Sequence, residues 1–475
     1  MRRSVTLILL LALLAAGILT GSTLALDSKG DQVTITTHAL AGDPSTAEGL
    51  TVNFPLIMGG CLFWDISFPA DQPEQAATQF RYDPDAESPS DTDDQASVDF
   101  LLASTSYSDI YLLGGSLWED VPPALTAMLK QLAAGMEPDT ERTRTVRLTD
   151  YMDCWPLKAY LPDCPLPTSV LNQRMSEYFT VPIPQDYQVE VELATNRLGD
   201  LNHVVCRKEE HYLFQSDAWS FETPQGYLFT FPNTYYDGQL TKSVPIDSSR
   251  LLAGWGLYRL TLNSDNTDGQ LETVYTLPEG SEILDFLADG DKSTFFLLTR
   301  EEGMLRLRVF DERAALQNTF DLLPMGKEDH YMQTYAGADF LVPMLYGEGP
   351  DSYRLAVVAA DSQGWQPDFT FSLAEQAALG VKGISWLDTY LCPLSMDYAD
   401  GRLAIRDAYG DYGENNFYIS VYTGDGLAYL GTYESSLTIP AVLQTEYDIA
   451  TNKSTVCTLP PVVTTPLLSW SEAPS

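Results

Sequence analysis

Apolar and polar positions in the C-terminal half repeat as a unit. YRLTL begins at Tyr258, LRLRV at Leu305, YRLAV at Tyr353 and FYISV at Phe417, at spacings of 47, 48 and 64 residues. Each is followed, after a polar turn, by a second strand-like run: LETVYTL (271–277), LQNTFDL (316–322), DFTFSL (368–373) and LAYLGTY (427–433). Each is also preceded by an apolar run: YLFTF (227–231), TFFLL (294–298), DFLVPML (339–345) and RLAI (402–405). A fourth, inner run is visible as EILDFLAD (282–289) and LCPLSMDYAD (391–400). Such a period matches a four-stranded blade, so the pattern predicts an all-β protein of the β-propeller class. Asp-Gly pairs at 289, 400 and 425 fall between runs, where a tight hairpin needs left-handed backbone.

The longest spacing contains SLAEQAALG (372–380), in which Ser372 and Glu375 form a capping-box pattern and Gly380 suits a helix end. One short helix on a loop is expected there. Earlier in the chain the pattern is weaker. LFWDISF (62–68) and TQFRY (78–82) read as paired strands, TRTVRLTDY (143–151) as a third. YQVEVEL alternates with Tyr187, Val189, Val191 and Leu193 on one face. Leu125, Met128, Leu129 and Leu132 recur at helical spacing over 123–134, and this stripe reads as core packing. The expected architecture is one propeller of six to eight blades, some irregular, with one or two short helices in insertions and QVTITT (32–37) as a candidate closing strand. A separate β-rich N-terminal domain is the alternative. The domain plan is residues 1–26 as a targeting segment, 27–205 as a β-rich region, 206–445 as four recognisable blades, and 446–475 as a C-terminal tail.

The first 26 residues set the location. Arg2 and Arg3 precede an uncharged stretch from Val5 to Leu26, with Asp27 the first acid. This is an export signal, either cleaved after Thr23-Leu24-Ala25 or retained as a membrane anchor over residues 5–26, since about 20 apolar residues suffice to span. Ser22 stands where a lipoprotein signal would have its cysteine, which excludes thioether lipidation at that position. Either way the remainder is extracytoplasmic.

Charge narrows the partners. The net charge is −39, with the acids spread along the chain, so nucleic acid and anionic lipid are poor partners and membrane contact is expected only through the N-terminal segment. An unknown protein or cell-envelope ligand is the partner expected. DPDAESPSDTDDQASVD (83–99) is the densest acidic run and reads as a linker. Six cysteines in an exported chain permit disulfides, and Cys154 with Cys164 is the candidate pair.

LAGDPSTAEGLTV (40–52), CLFWDISF (61–68), RTVRLTDYMDCWPL (144–157) and YFTVPIPQDYQVEVEL (178–193) resemble recurrent phrases in exported or membrane-attached bacterial proteins with propeller-like C-terminal halves. The resemblance covers about the first two-fifths of the chain. It implies location and fold, and brings no activity and no functional residues with it.

No sequence motif names a reaction. The four histidines, His38, His203, His211 and His330, form no HExxH pair, and there is no GxSxG elbow, Walker loop, dinucleotide fingerprint or CxxC spacing. No cofactor or metal is implied and no catalytic residue is assigned. NSDNTDG (263–269) approaches a calcium loop, and ADSQGW (360–365) an Asp-box, yet both read as turns between strands. The candidate ligand-binding residues are Tyr409, Asp411, Tyr412, Glu414 and Asn415 in the loop RDAYGDYGENNFY, where aromatics beside carboxylates and amides suit sugar or peptide contacts. The function expected is a non-enzymatic protein-binding or ligand-sensing module. The alternative is a secreted carbohydrate hydrolase or lyase, which needs only two carboxylates placed across a cleft.

Overall fold

The computed structural model describes residues 33–58, 62–82, 97–100, 110–111, 123–162, 164–183, 185–207, 215–236, 243–245, 254–347, 352–381, 395–409, 416–436, 447–448, 453–454 and 467–471, with six residues between 14 and 21. No helix among them is long and apolar enough to cross a membrane. The chain divides into two compact units, Asp93–Lys327, and Met1–Thr92 with Glu328–Ser475. The division does not follow the 205/206 boundary drawn on the sequence.

Unit Asp93–Lys327 holds four four-stranded antiparallel sheets. The simplest is Glu282–Ala288, Thr294–Glu301, Met304–Asp311 and Leu316–Pro324, four consecutive strands in meander order. Its second strand is a continuous apolar run because both faces are covered, with Phe295, Phe296, Leu297 and Leu298 all fully buried. The fourth strand is the edge and is largely exposed. Trp219–Thr223, Gly226–Thr230, Gly256–Leu262 and Gly269–Thr276 repeat the plan, with the hairpin Thr234–Tyr236/Ser243–Pro245 inserted. The other two sheets recruit strands out of sequence order: Ile110–Tyr111, Leu201–Arg207, Gln188–Thr195 and Glu141–Arg147 form one, and Gln215–Asp217, Ser97–Phe100, Cys154–Tyr160 and Thr180–Pro182 the other.

The helix Pro123–Ala133 matches its expected bounds, and Leu125, Met128 and Leu129 are fully buried against Leu148, Leu157, Val189 and Val191. A second helix, Thr168–Tyr178, is not anticipated, because its only buried side chains are Leu171 and Met175. Two apolar positions make too short a stripe to read. Its Arg174 forks onto Asp268 and reaches Glu177 at 2.9 Å. With Ala374–Ala378 this makes three short helices in the described residues after position 33, one more than expected.

Unit Met1–Thr92 with Glu328–Ser475 holds three larger sheets and the two-stranded pair Tyr447–Asp448/Lys453–Ser454. His330–Ala336, Phe340–Tyr346, Tyr353–Asp361 and Gly364–Ser372 form one meander. Ser395–Ala399, Arg402–Tyr409, Asn416–Thr423 and Gly426–Ser435 form another, with Ile35–Gly42 added as a fifth strand along Gly426–Ser435. The third is Leu50–Met58, Leu62–Pro69 and Ala77–Tyr82, completed by Leu468–Trp470 paired to Leu50–Val52. The expected closing strand at 32–37 therefore widens one sheet, while residues read as tail complete another. The physical reason is length: a three-residue strand carries no periodicity, and only the unpaired edge of Leu50–Met58 gives LSW a place to pair.

The turns explain how short polar segments reverse the chain. Asp289, Asp311 and Asp361 each accept, on a side-chain oxygen, backbone N–H groups two to five residues ahead, Asp289 those of Ser293 and Thr294 at 2.8 and 3.1 Å. Of the Asp-Gly pairs at 289, 400 and 425, only Asp400–Gly401 has both residues left-handed, at φ 51° and 72°. At 425 it is Gly426, the first strand residue, that takes φ 106°, while Thr423 accepts the Asp425 N–H. Asn263 closes the NSDNTDG loop by accepting the Thr267 and Asp268 N–H groups, so this segment is a turn.

The sequence pair Cys154 and Cys164 is not bridged. Cys154 opens the extended strand Cys154–Tyr160, and a seven-residue strand carries the chain about 20 Å, whereas a disulfide needs Cα atoms within about 7 Å.

A candidate carboxylate and aromatic site

The residues proposed from sequence place only in part. Tyr409 ends the strand Arg402–Tyr409 and pairs with Asn416 across the hairpin. Asp411, Tyr412, Glu414 and Asn415 lie outside the described residues. His38, His203 and His330 lie on strands, and His211 is outside the described residues.

Another cluster is fully described. It is built on Ser395–Ala399, the first strand of its sheet, in the run SMDYA. Met396 and Leu403 turn into the core with Phe340, which fixes the strand and leaves Asp397 and Tyr398 half-buried. The Asp397 Oδ2 accepts the backbone N–H of Trp470 at 2.6 Å, and the Trp470 indole Nε1 donates to the Asp397 carbonyl at 3.1 Å. Arg402 lies over the indole, 4.1 Å from its centroid, and its Nη1 donates to the carbonyls of Thr46 and Glu48. The C-terminal strand is thus held by Asp397 on one side and by Arg402 on its ring face.

Burial pushes the Asp397 carboxyl above the ordinary carboxylate range, and the charge of Asp339 adds to this, against the N–H groups of Trp470 and Tyr398. Tyr398 donates its hydroxyl to Asp368 Oδ2 at 2.7 Å. Its own pKa is pushed up, by burial first and then by Asp368. The Phe340 ring bridges Tyr398 and Tyr335, with centroids 5.9 Å apart in each pair. Burial also pushes Tyr335 up, and the Asp397 charge acts in the same direction.

These side chains combine a carboxylate of raised proton affinity, an exposed second carboxylate at Asp339 and several aromatic rings. Carboxylates accept hydrogen bonds from hydroxyl or ammonium groups, and ring faces cover apolar or cationic ones. Among the described residues no group of three or more His, Cys, Asp or Glu side chains is placed to hold a metal ion. Sequence reasoning missed this cluster, although SMDYA sits within an identified inner run. Its partners come from a turn, an edge strand and the apparent tail, which no local pattern links.

Glu301 is the opposite case. It is 4% exposed, yet Arg308 grips both carboxylate oxygens at 2.6 and 2.8 Å, Arg306 reaches it at 2.8 Å and Thr299 donates at 2.8 Å. Burial pushes its carboxyl up, but these donors outweigh it and hold the pKa at about 2. Every oxygen is committed to the fold, so this carboxylate is structural.

Six sheets of four antiparallel strands and one of five, among the described residues, give the repeated blade plan of the β-propeller class. The number lies within the six to eight expected. No family model and no curated protein matches the sequence. Among solved structures the chain is similar to the periplasmic gluconolactonase of Pseudomonas aeruginosa, at 15% identity and TM-score 0.27 over 52% of this chain and 64% of that one. A putative 6-phosphogluconolactonase from Bacteroides fragilis is similar at 10% identity and TM-score 0.26, over 80% and 92% of the two chains. TolB from Acinetobacter baumannii is similar at 8% identity and TM-score 0.22, over 82% and 80%. The match to the gluconolactonase spans less than two-thirds of that protein's length. At these TM-scores the fold assignment rests on the sheets themselves.

Proposed function

We propose that this chain is an extracytoplasmic β-propeller binding module, held at the membrane by residues 5–26, that takes a polyhydroxylated or ammonium-bearing envelope ligand at the Asp397 cluster. The observation that carries this reading is the half-buried Asp397 carboxyl set among Tyr335, Tyr398, Trp470 and Asp339. The uncharged stretch from Val5 to Leu26 is long enough to span a bilayer, and the resemblance to exported or membrane-attached bacterial proteins is compatible with retention. A rigid sheet carrying a partly open acid and aromatic rings suits recognition.

The test is a thermal-shift titration of residues 27–475 with neutral glycans, amino sugars and short cationic wall peptides. A ligand at a hundred times its dissociation constant adds about 2.7 kcal/mol. A rise in melting temperature with one class, lost in Asp339→Asn and Tyr398→Phe, is the expected result. No shift with any class, or a shift untouched by both substitutions, overturns the assignment of the site.

One observation favours a second reading. Asp397 is pushed up while Asp339 supplies the neighbouring charge, and two carboxyls of unequal proton affinity are what glycoside hydrolysis uses. Release of reducing sugar from a glycan that binds, abolished by Asp397→Asn, would make the module a hydrolase.

A further inference from the structure

The N-terminal strand and the Asp397 cluster lie on the same five-stranded sheet, and the pairing register places them along it. The chain is fixed from Val33, which is buried, and Thr34, whose N–H donates to Ser436 Oγ at 2.8 Å and whose carbonyl accepts the Ser436 N–H at 2.9 Å. The row across this end of the sheet is Ile35 opposite Ser435, then Glu434 opposite Asn416, then Asn416 opposite Tyr409. At the other end, Asp397 pairs with Ala404, Ala404 with Val421, Val421 with Tyr429, and Tyr429 with Gly42. The cluster therefore shares a row with the last residue of the N-terminal strand, and Thr34 is at the far end. At about 3.3 Å per residue the two rows are separated by roughly 20 Å.

We infer that the end of this sheet at Thr34 and Ser436 faces the bilayer and that the Asp397 cluster opens away from it, so that its ligand arrives from the aqueous side and is not a lipid headgroup. This rests on the reading of residues 5–26 as a retained anchor. Between Leu26 and Val33 stand six residues, which at full extension reach about 25 Å. The Thr34 end cannot be farther from the membrane surface than that. Placing the Asp397 end at the bilayer would need this linker drawn out almost fully past the roughly 20 Å between the two rows, whereas the Thr34 end reaches the surface with the linker relaxed. The hairpin row at Tyr409 and Asn416 is on the bilayer side, so the loop singled out in the sequence and the Asp397 cluster look in opposite directions along the sheet.

The full-length chain in vesicles of phosphatidylcholine with phosphatidylglycerol tests this by energy transfer to a rhodamine-labelled lipid. The native cysteines are avoided by placing p-azidophenylalanine, coupled to a donor dye, at Thr36 in one variant and at Asp425 in another; both positions are exposed. These positions are about 30 Å apart along the strand Gly426–Ser435. Strong quenching at Thr36 with markedly weaker quenching at Asp425 is the expected result. Equal or reversed quenching in a vesicle-bound chain of full mass overturns the orientation and leaves the anchored reading standing. A membrane-free mature chain beginning after Ala25, found by intact mass from the native host, overturns the anchored reading and the orientation with it.

Discussion

Two sheets of the same plan are completed by opposite means. Glu282–Pro324 contributes four consecutive strands, each joined to the next by a short turn. The sheet of Leu50–Met58, Leu62–Pro69 and Ala77–Tyr82 takes its fourth strand, Leu468–Trp470, from the far end of the chain. The first is stabilised from within, by fully buried phenylalanines and the Glu301–Arg308 pair. The second depends on side chains of two strands of another sheet, since Asp397 and Arg402 hold Trp470. Local strands meet at small entropic cost, whereas a distant strand must bring its own attachments to offset a long closure.

The largest expected effect lies in the local sheet. Arg308→Ala leaves Glu301 buried without its main partner and should cost about 3–5 kcal/mol, read as a lower urea midpoint. The same pair sets a pH dependence. Glu301 is held near 2, below its value in the unfolded chain, so its contribution is complete above the ordinary glutamate range. It is lost as pH falls from that range toward 2, and Glu301→Gln should flatten this limb of the profile.

An intermediate effect is expected at the distant strand. Trp470→Ala removes the indole from Arg402 while keeping the backbone N–H on Asp397. A fully buried Trp→Ala costs about 3–5 kcal/mol, and half-burial reduces this to about 2–3 kcal/mol. Proteolysis would sharpen the contrast: cleavage in the C-terminal segment should accelerate in this variant and stay unchanged in Arg308→Ala at equal folded fraction.

The smallest effect separates the charge of Asp397 from its hydrogen bond. Asp397→Ala removes the acceptor for the Trp470 N–H and should cost about 1–3 kcal/mol. Asp397→Asn keeps an acceptor oxygen and should be neutral or slightly stabilising near neutral pH. The sign follows from the raised folded pKa: ionisation of Asp397 costs stability, and this cost appears as pH rises from the ordinary carboxylate range toward the folded value. The melting temperature of the native chain should therefore gain on that of Asp397→Asn as pH falls through this window.

Much of the repeat was legible because strands with both faces covered need unbroken apolar runs and edge strands do not. Thr294–Glu301, Met304–Asp311 and their counterparts at Phe340–Tyr346 and Tyr353–Asp361 coincide with runs read from the sequence. The paired strands at 62–69 and 77–82 and the helix at 123–133 were legible for the same reason. The helix Thr168–Tyr178 was not, with two buried side chains. Nor was the Asp397 cluster, because Asp339, Asp368, Asp397 and Trp470 belong to four separate segments, each ordinary by itself.

The sequence alone determined the strand pattern, the β-propeller class, the acidic surface and the apolar N-terminal stretch, since each depends on residues close together or on simple sums. Tertiary structure decided which strands complete which sheets, that Cys154 and Cys164 are unbridged, and that a carboxyl in an inner run meets Trp470. Pairing between distant segments is set by which edges remain open after local folding, and local periodicity carries no record of that.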